Sequence, residues 1–153
     1  MVVIEEEGDL LNIELDYIVH LCNCKSATAS GLTTHIFKKY PQANTYSRRD
    51  YKRIAGEISI HECEDGKRLV NMYSQHFPGN PRQNGFDSET KRKTWFASCI
   101  VKLVQFLNSN EKSDTYKIGF PKTIAEESSD EYSYIEEMSK LIKGNTVIVN
   151  PNS

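Results

Sequence analysis

The fold of this chain is decided by YIVHLCNCKSATASGLTTHIFKKYP, residues 17–41. The apolar residues 17–19 predict a buried strand, and residues 32–40 place four apolar side chains on one side of a helix that Pro41 ends. Between them lies a loop, residues 26–31, whose side chains are almost all too small to fill space. The stretch therefore predicts a strand, a small-residue loop and a helix in immediate succession.

A loop of this kind favours an anionic ligand. Small side chains let a ligand approach the backbone N–H groups, and the N-terminus of a helix attracts negatively charged oxygens. Ligands of α/β proteins also bind beyond the carboxyl ends of parallel strands. We therefore expect a phosphate-bearing ligand at residues 26–31, although a loop of small residues is also common where no ligand binds.

The composition predicts one globular domain that spans residues 1–153. The net charge is −2 and both signs are mixed along the chain, so no nucleic-acid partner is expected. The cluster Lys91-Arg92-Lys93 is interpreted as the exposed face of a helix. The four cysteines lack the spacing of a zinc site or of a disulfide framework, so the sequence predicts no metal and no cofactor.

The N-terminal residues and the hydropathy of the chain bear on its location. The first residues have no basic region followed by an apolar run, and no stretch approaches the roughly 20 apolar residues of a membrane span. We expect a cytoplasmic or nucleocytoplasmic protein with no membrane partner, and a monomer.

The remaining segments alternate predicted strands with predicted helices. The pair Asp65-Gly66 between two strand-like runs predicts a β-hairpin. The longest helix is expected to be capped by Asp87 or Ser88, with Val101 among its inward residues, and a last helix over residues 132–143 is expected to turn Leu141 inward. This alternation predicts an α/β fold, a three-layer α/β/α sandwich with a mixed, largely parallel sheet flanked by helices.

A short helix is also expected near residue 50. It is predicted to present its basic side chains as surface charge: Arg48, Arg49, Lys52 and Arg53.

Several motifs follow one another in an order that is informative. They are Gly8-Asp9-Leu10-Leu11, residues 16–24, the small-residue loop with Gly31, Lys38-Lys39-Tyr40-Pro41, residues 69–75 and residues 117–121. Together these motifs resemble the macro domain family across nearly the whole chain. The His-x-Cys-Asn-Cys pattern of residues 20–24 is most similar to the branch that contains the ADP-ribose 1″-phosphate phosphatases. The resemblance implies that the ligand is ADP-ribose or a related nucleotide, which some members hydrolyse and others only bind.

The resemblance also implies roles for individual residues. Asp9 would accept a hydrogen bond from the adenine amino group, although a turn or cap residue is the alternative for an Asp after Gly8. Asn23 would hold the distal ribose. The ligand-binding residues implied are Asp9, Leu10, Asn23, Ala29, Ser30, Gly31, Leu32, Tyr73, Gln75, Phe77, Pro121, Thr123, Ile124 and Ala125.

The sequence departs from the family pattern in its second phosphate loop. Macro domains usually have a glycine-rich loop here, whereas residues 122–132 contain no glycine and include Glu126 and Glu127. Unlike glycine, these residues do not combine a positive φ with close approach of the backbone to a ligand. The carboxylates of the loop would also repel a diphosphate. Ala27, Ala29 and Ser30 also stand where many relatives have glycine.

Three functions stay open at this point. The favoured one is recognition of ADP-ribose or a related nucleotide, with slow or no turnover. The alternative is a hydrolase, either an ADP-ribose 1″-phosphate phosphatase or an ADP-ribosyl hydrolase, in which His20 or His76 transfers protons and Asp130 activates water. A histidine inside a buried strand is, however, more often a core residue than a catalyst, which is the alternative for His20. The third is a macro fold that acts through protein contacts alone.

Overall fold

The structure is a computed structural model that describes residues 3–83, 85–124, 126 and 129–151. Its centre is a six-stranded sheet with the order β1-β6-β5-β2-β4-β3. All neighbouring strands are parallel except β3 and β4, which are antiparallel. The strands are β1 (Val3–Glu7), β2 (Tyr17–Asn23), β3 (Ile58–Glu62), β4 (Arg68–Gln75), β5 (Lys117–Pro121) and β6 (Asn145–Asn150).

Helices cover both faces of this sheet. They are α1 (Leu32–Lys39), α2 (Glu89–Asn110) and α3 (Asp130–Leu141), with short 3-10 helices at Pro41–Ala43, Thr45–Ser47 and Lys122–Ile124. The apolar residues of α2 and α3 form one core cluster against the sheet, and those of α1 form a second cluster on the opposite face. The predicted three-layer α/β/α class with a mixed sheet is confirmed.

Strand β2 explains why the sheet has two cores. Tyr17 and Val19 belong to the cluster under α2 and α3, whereas Ile18 and Cys22 belong to the cluster under α1. A central parallel strand is buried on both faces, which is why its sequence is almost uninterruptedly apolar. His20 lies on the same side as Ile18 and Cys22, because side chains alternate along a strand.

The β-hairpin was predicted correctly. Strands β3 and β4 pair antiparallel, and Gly66 in the turn has φ of 87°, a conformation that favours glycine. Strand β1 (Val3–Glu7) contains three consecutive glutamates. It continues through the glutamates to Glu7 because it is an edge strand whose side chains can remain in water.

The start of α2 agrees with the sequence, whereas α3 (Asp130–Leu141) begins and ends two residues before the predicted residues 132–143. Ser88 caps α2, with its hydroxyl accepting from the Lys91 N–H at 3.1 Å. The side chains of Val101 and Leu141 were predicted to face the core, and both predictions were wrong. Val101 is 55% exposed and Leu141 is 63% exposed. Val101 lies one residue beyond Ile100, a rotation of about 100° away from the buried stripe of α2.

The basic segment at residues 48–53 was also predicted incorrectly. It contains no helix, and the preceding 3-10 helix ends at Ser47. Arg53 is half-buried rather than a simple surface charge: its guanidinium donates to the Asn23 carbonyl at 3.1 Å and lies 4.5 Å from the centre of the Tyr46 ring. A cation–aromatic contact of this kind stabilises a partly buried arginine.

Among the residues that the structure describes, no helix combines the length and the apolar character needed to cross a membrane.

Candidate functional site

The carboxyl ends of five parallel strands meet at one edge of the sheet. Strands β1, β2, β4, β5 and β6 all end there, so the segments that follow them become neighbours although they are far apart in sequence. Crevices beyond such strand ends are the usual ligand sites of α/β proteins. Most of the predicted site residues come from these segments.

One cavity at this edge, the apolar cavity, has a volume of about 390 Å³. It brings together five of the predicted ligand-binding residues from segments after β1 and β5 and from the start of α1. Its lining consists of Gly8, Asp9, Leu10, Leu32, Pro121, Lys122, Thr123, Val149 and Pro151. Leu32 is one of the few exposed large apolar residues of the chain, and its exposure is accounted for by this position.

Asp9 sits at the wall of the apolar cavity and also holds its own turn together. One carboxylate oxygen accepts from the Leu11 N–H at 2.9 Å, and the other accepts from the Asn12 amide at 2.6 Å. Each carboxylate oxygen has two lone pairs, so both retain capacity for a ligand donor. The turn role and the ligand role that the sequence offered for Asp9 are therefore compatible.

The second cavity, the polar cavity, is smaller, at about 150 Å³. It contains three predicted ligand-binding residues, Asn23, Ser30 and Gln75, together with residues that no local sequence signal indicated. Its full lining is Leu21, Cys22, Asn23, Ser30, Thr33, Tyr46, Gln75, Pro78 and Gly79.

The amide of Asn23 has a fixed orientation. Its oxygen accepts from the N–H groups of Lys25 at 3.0 Å and Ser26 at 2.8 Å, which shapes the start of the small-residue loop. Because only the oxygen can accept, the amino group must point the other way. That amino group has no hydrogen-bond partner within residues 3–83, 85–124, 126 and 129–151 and is a free donor beside the polar cavity.

The N-terminus of α1 separates the two cavities. Ser30 lines the polar cavity and Leu32 lines the apolar one, with Gly31 between them at φ of 58° and ψ of −138°. This backbone conformation favours glycine. The first N–H groups of a helix have no partner inside the helix, so they remain available to an anion at this junction.

His20 does not reach either cavity. It is 1% exposed, with Nε2 2.5 Å from the Asn71 side-chain oxygen and Nδ1 3.2 Å from the Thr33 hydroxyl. Burial lowers the pKa of His20 to about 4. A neutral histidine held in the core agrees with the structural interpretation of this residue and contradicts its role as a proton shuttle for a bound ligand.

Tyr73 is likewise a core residue. It is fully buried, and its hydroxyl lies between the hydroxyls of Thr45 at 2.6 Å and Ser59 at 2.9 Å. Its side chain therefore lies away from both cavities, because side chains of β4 alternate between the two faces of the sheet. The Tyr73 side chain lines neither cavity, and the role of Tyr73 in ligand binding stays a prediction.

His76 and Phe77 begin the loop after β4. Their rings stack edge to face with centroids 4.5 Å apart, and His76 also packs on Phe86. Neither ring lines the polar cavity, whose wall is formed by the next two residues, Pro78 and Gly79. The loop thus borders the cavity, as predicted, but presents different residues to it.

Asp130 is engaged with a neighbouring helix. Its carboxylate forms an ion pair with the Lys93 ammonium at 2.8 Å, and its side chain is largely exposed at the start of α3. It lines neither cavity. Of the other predicted residues, Ile124 packs against the core cluster under α2 and α3, and Ala29 packs against the cluster under α1. Ala125 and Glu127 lie outside the described residues.

The thiol of Cys22 is at the wall of the polar cavity. Burial raises its pKa far above the ordinary value, so the thiol stays protonated and is a poor nucleophile. Within the described residues, no group of three or more His, Cys, Asp or Glu side chains is arranged to hold a metal ion.

The sequence matches no protein-family model and no curated protein. Its structure does have clear relatives among solved structures. The macrodomain of Mycobacterium tuberculosis DarG matches with a TM-score of 0.71 at 12% identity, over 99% of both chains. The macrodomain of Thermus aquaticus DarG matches with a TM-score of 0.70 at 14% identity, over 97% of both chains. A macrodomain protein from Streptomyces coelicolor gives 0.68 at 16% identity, over 99% of this chain and 100% of that one.

This chain has the macrodomain fold. The macrodomain match extends over nearly the entire chain. The predicted macro domain-like sheet is thereby confirmed at the level of the fold.

Proposed function

We propose that this protein recognises ADP-ribose or a related ADP-ribose-derived nucleotide and binds it with slow or no turnover. One observation supports the proposal above all others. An apolar cavity and a polar cavity lie on either side of the N-terminus of α1. A base, a diphosphate and a sugar follow one another in the same order in ADP-ribose.

The apolar cavity suits the adenine base. Its volume lies within the usual range of small-molecule sites, and Leu10, Leu32 and Pro121 provide apolar contacts for a flat ring. The carboxylate of Asp9 is the acceptor that an adenine amino group requires. An apolar site with one directional polar group is the usual means of recognising such a ligand.

The diphosphate and the distal ribose would occupy the rest of the edge. The diphosphate would lie at the N-terminus of α1, where unpaired N–H groups favour anionic oxygens. The ribose hydroxyls would enter the polar cavity, where the amino group of Asn23 is a free donor. The carboxylate of Glu126, in the segment after β5, repels a diphosphate bound at this edge, which favours weak rather than tight binding.

Slow or absent turnover follows from where the acid–base candidates lie. A general acid or base must come within hydrogen-bond reach of the reacting group. His20 is buried, His76 is stacked between aromatic rings and Asp130 is paired with Lys93, so none of the three lines the polar cavity. The alternative, an ADP-ribose 1″-phosphate phosphatase or ADP-ribosyl hydrolase, rests on the resemblance of residues 20–24 to the phosphatase branch.

Calorimetry with ADP-ribose, ADP and AMP tests the binding proposal. In Asp9→Asn the remaining side-chain oxygen still accepts from the Leu11 N–H, so the turn is retained while one ligand acceptor becomes a donor. All three nucleotides share the adenine, and each should lose about 1–3 kcal/mol of binding free energy. The matched control is Asp114→Asn, an exposed residue before β5 at the opposite edge, which should leave affinity unchanged.

Failure of the unmodified protein to bind any of the three nucleotides would reject the proposal. Turnover is tested separately with ADP-ribose 1″-phosphate, recovered after denaturation. We expect the ligand to be recovered intact. Release of phosphate over many cycles, abolished by His76→Ala or Asp130→Asn, would establish the hydrolase instead.

A further inference from the structure

An ion pair at the start of α2 is almost completely withdrawn from water. Asp87 is 0% exposed, and two atoms of the Arg92 guanidinium, Nε and Nη2, contact its two carboxylate oxygens at 2.8 and 2.9 Å. Burial raises the pKa of a carboxyl group, but the bonds from Arg92 and from the Phe77 amide outweigh it and hold the pKa of Asp87 below its ordinary value. A buried pair of this kind persists only where further hydrogen bonds satisfy both partners.

Those further bonds all go to the backbone of one loop, residues 76–86. The Phe77 N–H donates to the Asp87 carboxylate at 2.7 Å, while Arg92 donates to the Phe77 carbonyl at 3.2 Å and to the Gly79 carbonyl at 2.8 Å. A separate backbone bond runs from the Arg82 N–H to the Asp87 carbonyl at 2.8 Å and does not involve the charged groups. The pair itself thus fixes the first residues of the loop, at Phe77 and Gly79.

The loop is also the wall of the polar cavity. Pro78 and Gly79 line that cavity, and the Gly79 carbonyl, at a turn where φ is 81°, accepts a bond from Arg92. Neither Asp87 nor Arg92 lines the polar cavity, although Arg92 lines an adjacent cavity of about 210 Å³ that shares Leu21 and Gln75 with it. The bonds of the pair to Phe77 and Gly79 connect it to the wall of the polar cavity.

A second ion pair in the chain provides a contrast. Arg68 and Glu111 form a half-buried pair at 3.2 Å near the start of β4, at the opposite edge of the sheet. The guanidinium of Arg68 donates to two side chains, those of Glu111 and Tyr17. Stability alone accounts for the Arg68 pair, whereas the Arg92 pair sets the shape of a cavity wall.

We propose that Asp87 and Arg92 are positioning residues that shape the polar cavity and so determine how well the protein distinguishes ligands with a sugar beyond the diphosphate from ligands without one. The inference rests on the proposed function, because it assigns the polar cavity to the distal sugar. It adds a selectivity determinant that never touches the ligand.

The test compares ADP-ribose with ADP by calorimetry in Arg92→Lys and in Asp87→Asn. Lysine keeps the positive charge beside Asp87 but cannot bond Asp87, Phe77 and Gly79 at once, because it lacks the planar fork of arginine. We expect ADP-ribose affinity to fall about tenfold while ADP affinity stays unchanged, since a hydrogen bond to a charged group has roughly that effect. Arg68→Lys is the matched control and should leave the ratio of the two affinities unchanged.

A readout without ligand uses the same variants. Hydrogen exchange at the Phe77 amide should accelerate in Arg92→Lys and Asp87→Asn and not in Arg68→Lys, because the amide is bonded to the carboxylate of the pair. Trp95 is the single tryptophan and packs on Phe86 with ring centroids 5.4 Å apart, so its fluorescence reports loosening of the same loop.

The outcomes separate this inference from the proposed function. Equal loss of ADP and ADP-ribose affinity, an unchanged affinity ratio or unchanged exchange at Phe77 would overturn the positioning role while leaving nucleotide binding in place. An unmodified protein that binds neither nucleotide would overturn both. If one variant does not fold, the other decides, since Asn at 87 and Lys at 92 each retain part of the pair.

Discussion

At the scale of the residue, His20 is surrounded by groups that accept only its neutral form. Asn71 donates with its amino group to the Ala43 carbonyl at 2.8 Å, so its oxygen faces His20 and Nε2 must be the protonated ring nitrogen. Nδ1 is then the acceptor toward the Thr33 hydroxyl. A second proton would place a charge in a core site, and burial is the main reason why the pKa of His20 falls to about 4.

This site predicts acid sensitivity of folding. The pKa of His20 is about 4 in the folded state and near its ordinary value of 6.5 in the unfolded chain, so the unfolded state binds the proton more readily. Stability from neutral His20 is fully present above about pH 6.5 and is lost as the pH falls towards about 4, by an amount on the order of 2–3 kcal/mol. Urea unfolding at about pH 7 and about pH 4.5 should show this loss.

The variant His20→Gln should be less stable at neutral pH but should lose much less stability on acidification. His35→Gln, which alters an exposed histidine, should retain the pH dependence of the unmodified protein. His61 is common to all three proteins and cancels in the comparison. An equal loss of stability with and without His20 would refute this account.

Single residues also show what the sequence cannot supply. A histidine within an apolar strand was correctly suspected to be a core residue, because strand pattern predicts burial. The partners of Asp87 could not be predicted in the same way. Asp87 was one of two cap candidates, and its bonds to Phe77 depend on how a loop folds back across ten residues. The local sequence pattern carries no information about a contact of this kind between residues ten positions apart.

At the scale of the element, the backbone N–H groups proposed to face the ligand lie at the junction between the small-residue loop and α1. Gly31 has positive φ, and a side-chain carbon added there would meet nothing within 4 Å. The requirement for glycine at this point is therefore one of backbone conformation rather than of space. Gly66 in the β-hairpin has the same two properties and lies far from the cavities in the sequence and in the sheet.

These two glycines provide a matched pair of variants. Gly31→Ala and Gly66→Ala should each destabilise the protein by about 1–3 kcal/mol, since both force alanine into a strained conformation. Only Gly31→Ala should also weaken ADP binding, by about 1 kcal/mol, the scale of an anion at a helix N-terminus. Thermal unfolding and calorimetry measure the two effects. Equal ADP affinity in both variants would contradict a diphosphate at α1.

Some secondary-structure elements could be predicted from the local sequence and others could not. The hairpin at Gly66 and the cap at Ser88 were predicted because both depend on a few consecutive residues. Residues 48–53 were wrongly predicted to be helical, since their conformation follows from contacts with distant groups such as the Asn23 carbonyl and the Tyr46 ring. Tertiary contacts override weak local propensity in such segments.

At the scale of the whole molecule, two apolar cores share one sheet. Ile36 belongs to the cluster under α1 and Ile135 to the cluster under α2 and α3, and both are 0% exposed. Strand β2 contributes side chains to both clusters. Neither core can therefore be lost without exposing a face of the same central strand.

Ile36→Ala and Ile135→Ala should accordingly have similar effects. Each should lower the free energy of unfolding by about 2–5 kcal/mol, the range for truncating a buried isoleucine, and unfolding should stay a single transition. Ile54→Ala, at a half-exposed position, should cost less than about 1 kcal/mol. Two separate transitions in urea, recorded by circular dichroism and by fluorescence, would show that the two faces unfold independently.

The fold class was predictable because it depends on the alternation of strands and helices, which the sequence displays directly. The composition of the cavities was predictable only in part. Asn23 and Leu32, which the macro domain resemblance implied, do line cavities, whereas Tyr46 and Val149 line them because strand order brings distant segments together. No local motif marks residues of that second kind.

The position of Pro151 has a practical consequence for anyone who extends this chain. Pro151 follows β6 and lines the apolar cavity, whereas Val3 begins β1 beside Thr146, at the opposite edge of the sheet. An affinity tag or fluorescent protein joined after residue 151 would begin at the wall of the apolar cavity and compete with a ligand there for space. The same addition placed before residue 3 would leave that cavity open, so reporter fusions should be made from the N-terminal side.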